Sequence, residues 1–395
     1  MVFARRALPT ISAFALILAG CGGASSPAVP AGSSASTGSA GPSNAAPASV
    51  AAAGKPASAS ASGGLQAMVD GARKEGALNL VWGEGTEGGS KGIEQIAAGF
   101  NKAYGLDLKV QFTPGPSMPD MGAKMIQEVQ TNRPATSDLY IGYAVHMATA
   151  VQANALEPVD WASWAPNIKD PSLVAANGAV VTFETSLDGI GYNTQKLTGS
   201  AIPKSLQDLL KPEYKGKLAS TPYAANFDYL AMDQMWGEQK TVDFITKFSA
   251  QLAGLIRCDE MSRLATGEFE AMALLCSQNN VFQEKAKGSP VDVTMPTDAS
   301  MLIPLYIGVP KNSAHPNAAK LWVNYLLGRE GQDILYKYDF QDAQQVPGSK
   351  TAPQLAAMKS AGVQLTTVDL ATMQAQDPKE YARRRSELQK ILTGK

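Results

Sequence analysis

Two cysteines of the chain are spaced so that they could form a bond or bind a metal. The 395 residues include three cysteines and two histidines. Cys258 and Cys276 stand 18 positions apart, each after an apolar run. The sequence leaves three interpretations open for the pair: a disulfide, two separate thiols in the core, or part of a site for a soft metal.

A glycine-rich loop at Gly83–Gly88 (GEGTEG) matches the G-x-G-x-x-G fingerprint of dinucleotide-binding proteins, between a predicted strand and a predicted helix. The acid that should bind the ribose, Asp107, precedes the second predicted strand instead of ending it. Two glutamates inside the loop would also repel a pyrophosphate. We therefore interpret the loop as a strand tip that contacts a ligand through Glu84, Gly85 and Thr86.

A second pattern, Gly88–Gly92 (GGSKG), matches the nucleophile elbow G-x-S-x-G of hydrolases. An elbow requires a sharp turn directly after a strand, but Ser90 comes eight residues after Trp82. Only His146 and His315 could serve as its base. We therefore expect no catalytic residues, no cofactor and no metal ligands.

The N-terminal residues predict export. Arg5 and Arg6 precede an apolar stretch of about ten residues, which has the proportions of a secretory signal and is too short to span a bilayer. Residues 18–21 (LAGC) resemble the bacterial lipobox, in which the cysteine carries a lipid. We expect a signal peptide at 1–20 and a lipid on Cys21. Residues 21–64, nearly all Ala, Ser, Gly and Pro, should form a flexible tether.

The remaining body, residues 65–395, has 31 basic and 35 acidic residues, a net charge of −4. Nucleic-acid binding usually needs a basic excess, so we expect none. A body of this length should divide into two lobes.

Alternating strand and helix patterns form two α/β series, which favour mostly parallel sheets. Long extended segments near 180–193 and 297–309 separate the series. We predict an α/β fold of two lobes joined by two hinge strands, with a ligand cleft at the strand ends. The expected divisions are lobe 1 at 65–190, lobe 2 at 191–296, and a return to lobe 1 with C-terminal helices at 297–395.

Five phrases in order along the body resemble the bacterial extracellular solute-binding proteins, most closely their ferric-iron-type branch. They are LLKPEYKGKLA (209–219), GIGYNTQKL (189–197), TGEFEAMALL (266–275), AKGSPVDV (286–293) and HPNAAKLWVNYLLGREGQ (315–332). The resemblance implies the type II periplasmic-binding protein fold, capture of a ligand by hinge closure, and delivery to an ABC permease. It also implies a binding protein rather than an enzyme, which we expect to be a monomer.

The ferric branch should carry two adjacent tyrosines after its GEF-type strand. This chain has Cys276-Ser277-Gln278-Asn279 there. The resemblance therefore extends to the family but not to its iron chemistry. Neutral donors and acceptors suit a small organic molecule, an oxyanion or a chelated metal.

Further candidate ligand contacts come from the predicted strand tips and the turns beside them. Arg263, at the start of a predicted helix, could pair with an anion. The full set of candidates outside the glycine-rich loop is Tyr143, His146, Thr185, Thr221, Tyr223, Asn226, Ser262, Arg263, Ser277, Gln278 and Asn279.

The sequence leaves two alternative functions open, an exported enzyme on the same scaffold and a ligand sensor or interaction subunit. The cysteine pair also remains open. In the type II fold the strands that precede Cys258 and Cys276 flank a third strand, so their tips should be about 9–10 Å apart. A disulfide needs Cα atoms within about 7 Å.

Overall fold

A computed structural model of the protein describes residues 57–394. The predicted signal peptide, Cys21 and most of the predicted tether lie outside this range. Residues 57–64, predicted to belong to the tether, instead begin helix α1 (Ala57–Glu75). That helix packs on a later helix, burying Val69 and Ala72.

The first part of the chain builds most of one lobe. Sequence patterns explain its elements: in α2, Ile93, Ile96 and Phe100 share a buried face, and Gly105 ends the helix with a left-handed φ of 59°. The elements are β1 (Ala77–Trp82), α2 (Gly89–Tyr104), β2 (Lys109–Pro114), α3 (Met118–Gln130), β3 (Tyr140–Tyr143), α4 (Ala144–Gln152), β4 (Val174–Ala175) and β5 (Val180–Asp188).

The middle part builds a second sheet. Its elements are β6 (Ile190–Asn193), β7 (Leu218–Ser220), α5 (Phe227–Leu230), α6 (Glu238–Ser249), β8 (Leu252–Leu255), α7 (Met261–Ala265), β9 (Ala271–Met272), α8 (Gln278–Ala286) and β10 (Val291–Thr294). The strand order is β10-β6-β9-β7-β8. We call this sheet and its helices lobe 2.

The last part begins with β11 (Ser300–Gly308), which pairs with β5. The remaining elements are α9 (Pro316–Leu326), α10 (Arg329–Asp339), α11 (Thr351–Ser360), β12 (Leu365–Thr367), α12 (Leu370–Gln374) and α13 (Pro378–Thr393). The sheet order is β12-β11-β5-β4, with β3 also on β11. We call this sheet, with the β1-β2 pair and its helices, lobe 1.

The chain passes between the sheets twice. One residue, Gly189, separates β5 of lobe 1 from β6 of lobe 2, and five residues separate β10 from β11. A side chain at Gly189 would place its Cβ 2.6 Å from the Thr294 carbonyl oxygen, so the two crossings touch. The extended segments predicted from the sequence are these crossings.

The sheets are mixed rather than mostly parallel. The crossing strands pair in antiparallel fashion, β5 with β11 and β6 with β10, because each pair carries the chain out and back. Parallel pairing holds within the α/β series, as for β1 with β2 and for β7 with both β8 and β9.

The C-terminal helix differs from the predicted return to lobe 1. Tyr381 of α13 donates a hydrogen bond to buried Asp228 of α5 at 2.6 Å, and Arg383 pairs with Glu238 of α6 at 2.8 Å. Helix α13 therefore packs on lobe 2, whereas α12 packs on α4 of lobe 1. No helix in the described part of the chain is long and apolar enough to cross a bilayer.

Candidate functional site

The crossing strand β5 presents three polar side chains on one face. Alternation along a strand puts Glu184, Ser186 and Asp188 on the same side, and all three are buried. A bulge lies beside Glu184, since Leu305 pairs with Glu184 while Tyr306 pairs with Thr182. Bulges reorient side chains, and they are common next to binding sites.

The loop between β1 and α2 brings a third carboxylate, that of Glu87, to this region. Glu87 adopts a left-handed φ of 54° and is fully buried. The next turn leaves no space for side chains: a Cβ at Gly88 would lie 2.3 Å from Cβ of Tyr338, and one at Gly92 only 1.9 Å from the Glu87 carbonyl oxygen. The glycines of the loop therefore permit a close turn that holds a buried, strained glutamate.

Asp339, the last residue of α10, connects the loop to lobe 2. Its Oδ2 accepts a hydrogen bond from the Glu87 backbone N–H at 3.0 Å. Its Oδ1 accepts from the amides of two α8 residues, Asn279 at 2.7 Å and Gln283 at 3.1 Å. One carboxylate of lobe 1 is thus held by a helix of lobe 2.

A serine pair makes a second contact between the lobes. Ser277 caps α8, its hydroxyl accepting from the Asn279 N–H at 3.4 Å. The same hydroxyl lies 2.9 Å from that of Ser186 on β5 and 3.4 Å from Oε1 of Gln341. Ser186 in turn donates to Asp188 at 3.0 Å. The start of α8 therefore docks on β5 through hydroxyl and amide groups.

The carboxylates where the two lobes meet, a region that we call the cleft and that contains Glu87, Glu184, Asp188 and Asp339, are electrostatically unusual. Burial raises the pKa of Glu87 and Glu184 well above its usual range, and neighbouring acids raise it further: Asp339 acts on both, and Asp342 on Glu184. Burial also raises the pKa of Asp339 to about 7, despite hydrogen bonds from Asn279, Glu87 and Gln283 that lower it. Desolvation without a compensating cation is the common cause.

Tyr143 and His146 lie at the junction of β3 and α4. Burial raises the pKa of the Tyr143 hydroxyl, and the charges of Asp188, Asp339 and Glu184 add to the shift, which places Tyr143 beside the acidic group. His146 accepts the Tyr143 backbone N–H on Nδ1 at 3.3 Å and so caps α4. Burial and the nearby charge of Arg385 lower its pKa to about 4.

The other predicted contacts of lobe 1 have mainly structural partners. Glu84 is exposed and accepts from the backbone N–H and the hydroxyl of Ser90, at 2.9 and 3.0 Å. Gly85 is exposed beside it, while Thr86 is buried. Thr185 points to the opposite side of β5 from Glu184, where its hydroxyl accepts from Gln344 N–H at 3.5 Å.

In lobe 2, the predicted contacts after β7 form hydrogen bonds within the protein. Thr221 accepts the Ala225 N–H at 3.2 Å. Asn226, with a left-handed φ of 64°, donates to the Leu275 carbonyl at 2.5 Å. Tyr223 accepts the Cys258 N–H at 3.4 Å. Of these bonds, only that of Asn226 holds the backbone before Ser277, and buried Gln278 begins α8.

Ser262 and Arg263 are not brought to this group. Ser262 is exposed, and Arg263 pairs with Glu268 at 2.5 Å with its guanidinium 5.3 Å from the Phe269 ring. Helix α7, on which both lie, has only five residues. The guanidinium is thus satisfied by its own surface neighbours.

Cys258 and Cys276 form a disulfide in the structure, with Cα atoms 5.8 Å apart. The strands do flank β7, as the type II fold implies. The loops nevertheless approach each other, because β9 ends at Met272 and buried Leu274 turns the chain with a left-handed φ of 46°. Of the three interpretations, the structure contains the disulfide, placed next to the start of α8.

Sequence reasoning missed the acids that dominate the cleft, namely Glu87, Glu184, Asp188 and Asp339. Glu184 and Asp188 could have been recognised in the sequence, because they lie within a long strand that is predicted to be buried. Burying an acid costs free energy, so acids in such a strand indicate a functional role. Asp339 gave no such indication, because it ends a charged helix far from the predicted strand tips.

Comparisons with known proteins give consistent results. A family model described as bacterial extracellular solute-binding protein matches residues 136–373, more than half of the chain. An uncharacterized protein from Haemophilus influenzae is 26% identical over 173 residues, 42% of this chain; the chain spans about half, 49%, of that relative's length.

Two further proteins match over more of their length. An Fe(3+)-binding periplasmic protein from Serratia marcescens is 23% identical over 290 residues, covering 68% of this chain and 79% of the relative. The structure of a substrate binding protein of an ABC transporter from Agrobacterium tumefaciens aligns with a TM-score of 0.67 at 15% identity, covering 81% of this chain and 96% of that one. This likeness supports the two-lobe α/β fold.

Proposed function

Since the chain belongs to the bacterial extracellular solute-binding proteins, we propose that it captures a small solute between its two lobes and delivers it, chemically unchanged, to an ABC permease. The observation that carries the proposal is the set of hydrogen bonds from α8 of lobe 2 to Asp339 of lobe 1. Buried polar side chains from both lobes meet there around the two chain crossings.

The contacts between the lobes suit a closure mechanism. Asn279, Gln283 and Ser277 release their lobe 1 partners if the lobes separate, and each polar group then meets water instead. Each such exchange costs only about 0.5–1.5 kcal/mol, because water replaces the lost partner. A bound solute that contacts both lobes would therefore shift the equilibrium toward the closed form by its differential affinity.

The resemblance to ferric-iron binders does not extend to the ligand in this proposal. The positions after β9 are occupied by Ser277, Gln278 and Asn279, which supply hydroxyl and amide groups rather than phenolates. Tyr336 accepts a hydrogen bond from Gln354 at 3.2 Å, and Tyr338 packs on Gly88. We propose that the ligand is not bare ferric iron.

Export and anchoring belong to the same proposal. The apolar stretch at 11–20 and the lipobox-like residues ending in Cys21 support a lipoprotein at the outer face of a bacterial membrane. The disulfide of lobe 2 agrees with an oxidising compartment. Metabolic labelling with a fatty acid should mark the wild type and not Cys21→Ser.

The test of capture uses the full chain in mild detergent, screened by thermal shift against amines, amino acids, sugars, organic acids, oxyanions and metal ions. A true ligand at a hundred times its dissociation constant should add about 2.7 kcal/mol of stability. Mass spectrometry should recover that ligand unchanged, and small-angle scattering should show the protein contracting on binding. If no compound raises the melting temperature, or the ligand is converted, the proposal is wrong.

A further inference from the structure

We infer that the solute is an organic cation with several N–H donors, and that the carboxylates of Glu87 and Glu184 accept hydrogen bonds from it. This inference rests on the proposed function, because it assigns the ligand class of the same cleft. It follows from the unpaired hydrogen-bonding groups of the cleft, from their charge, and from their spacing.

Both glutamates are fully buried, and none of their four carboxylate oxygens has a hydrogen-bond partner among the described residues. Burying a carboxylate without partners is costly in any protein. Other buried acids of this chain accept several hydrogen bonds. Asp138 accepts from Ser313, Ala314 and His315, and Asp342 accepts from Ser349 and Thr351. Glu87 and Glu184 therefore differ from the general pattern of this fold.

The unpaired groups of the cleft are oxygen acceptors that lack a hydrogen-bond donor. Asn279 uses its amide N–H to hold Asp339, while its Oδ1 is also buried and unpaired. Together with the two glutamates this makes five oxygen acceptors. In their ionised form the carboxylates only accept hydrogen bonds, so a ligand that satisfies them must bring N–H or O–H groups.

The charges of the cleft have one sign. The charged groups acting on Glu184 are Asp339, Glu87 and Asp342, and the one acting on Glu87 is Asp339. Asp188 and Tyr143 face the same region from β5 and β3. No lysine or arginine acts on these acids in the described residues. A cation in the cleft would offset the desolvation cost of the buried carboxylates and reduce the repulsion between them.

The spacing favours an organic cation over a metal ion. Within residues 57–394, no three His, Cys, Asp or Glu side chains are close enough together to coordinate a metal. Metal binding requires such convergence at about 2.0–2.6 Å. An alkyl diamine or a guanidinium compound carries its donors on separate nitrogens and can reach carboxylates that do not converge.

The test measures binding of 1,4-diaminobutane, spermidine and agmatine to the full chain by calorimetry at pH 8. At least one should bind. Glu87→Gln and Glu184→Gln should each weaken that binding at least tenfold, about 1.4 kcal/mol. Glu94→Gln, which removes an exposed acid from α2, is the matched control and should keep the affinity within about twofold, since surface charge pairs contribute little. Thermal melting of each ligand-free variant confirms that it folds.

The pH dependence provides an independent readout. Because the carboxylates must ionise to hold a cation and burial raises their pKa, affinity should rise as the pH is raised, with protons released on binding. Protonated glutamic acids that donate to an anion would give the opposite slope. If a neutral or anionic compound binds, and neither glutamine variant changes its affinity, the inference of a cationic ligand is wrong. The proposed solute-binding function would still stand. Failure of all three cations to bind also overturns the inference, whereas failure of every compound class overturns the function itself.

Discussion

Asp339→Asn should remove a large part of the pH dependence of folding in the ligand-free protein. Burial raises the Asp339 pKa to about 7. The native protein therefore keeps a proton between pH 4 and pH 7 that the unfolded chain has released. Stability from this group is present at low pH and is lost as the pH rises through 7.

The magnitude follows from the two pKa values. With about 7 in the native state and the ordinary 3.8 in the unfolded state, the group contributes about 2.5 kcal/mol more at pH 5 than at pH 8. Asparagine has no proton to exchange. The difference in free energy of unfolding between wild type and variant should therefore shrink by about this amount from pH 5 to pH 8. Asp339 also raises the pKa of Glu87 and Glu184, so its removal should flatten the pH dependence further.

Comparing the two proteins at each pH isolates the effect. Burial lowers the pKa of His146 to about 4, so this residue acts with the opposite sign. Its contribution to the free energy of unfolding is lost as the pH falls below the pKa that it has in the unfolded chain. It is present in both proteins and cancels. A lost hydrogen bond at Asp339 adds a constant cost of about 1–3 kcal/mol that does not vary with pH.

Urea unfolding followed by circular dichroism at pH 5, 6, 7 and 8 measures the difference. Asp107→Asn, at an exposed loop position, is the control and should track the wild type throughout. If the wild-type and Asp339→Asn curves remain parallel across this range, Asp339 does not hold a proton in the native cleft, and the electrostatic description of the site is wrong.

Three other variants test the architecture. Replacing Cys258 and Cys276 by serine should cost about 3 kcal/mol, since the bond closes a loop of 18 residues, and urea unfolding that shows no loss would contradict a native disulfide. Gly92→Ala should lower the melting temperature and weaken ligand binding together, because the new Cβ would lie 1.9 Å from the Glu87 carbonyl oxygen. If calorimetry shows unchanged binding, the glycine-rich loop is not part of the binding site. Arg263→Ala should leave ligand affinity unchanged, because Arg263 pairs with Glu268 on the surface, and a loss above threefold would place it in the cleft after all.

The crossings and the position of the cleft could be predicted because they depend on local patterns. The β-branched and aromatic residues of segment 180–193 favour an extended strand, and strand–helix alternation restricts the possible folds to a few. Ser277 and Asn279 could be placed at the cleft because they follow a strand tip directly. Arg263 follows a strand tip as well, but its neighbour Glu268 satisfies its charge outside the cleft.

The two α/β series, the crossings between them and the missing tyrosine pair at 276–279 can all be recognised in the sequence, since each is a property of neighbouring residues. Which acids share the cleft depends instead on the packing of distant segments. Glu87, Glu184 and Asp339 are separated by up to 252 positions and come from a loop, a crossing strand and a helix end. Their raised pKa values arise from mutual proximity and lost water, which no local pattern encodes. The disulfide also depends on tertiary packing, because the 5.8 Å distance between the Cα atoms of Cys258 and Cys276 results from the approach of two loops on either side of β7.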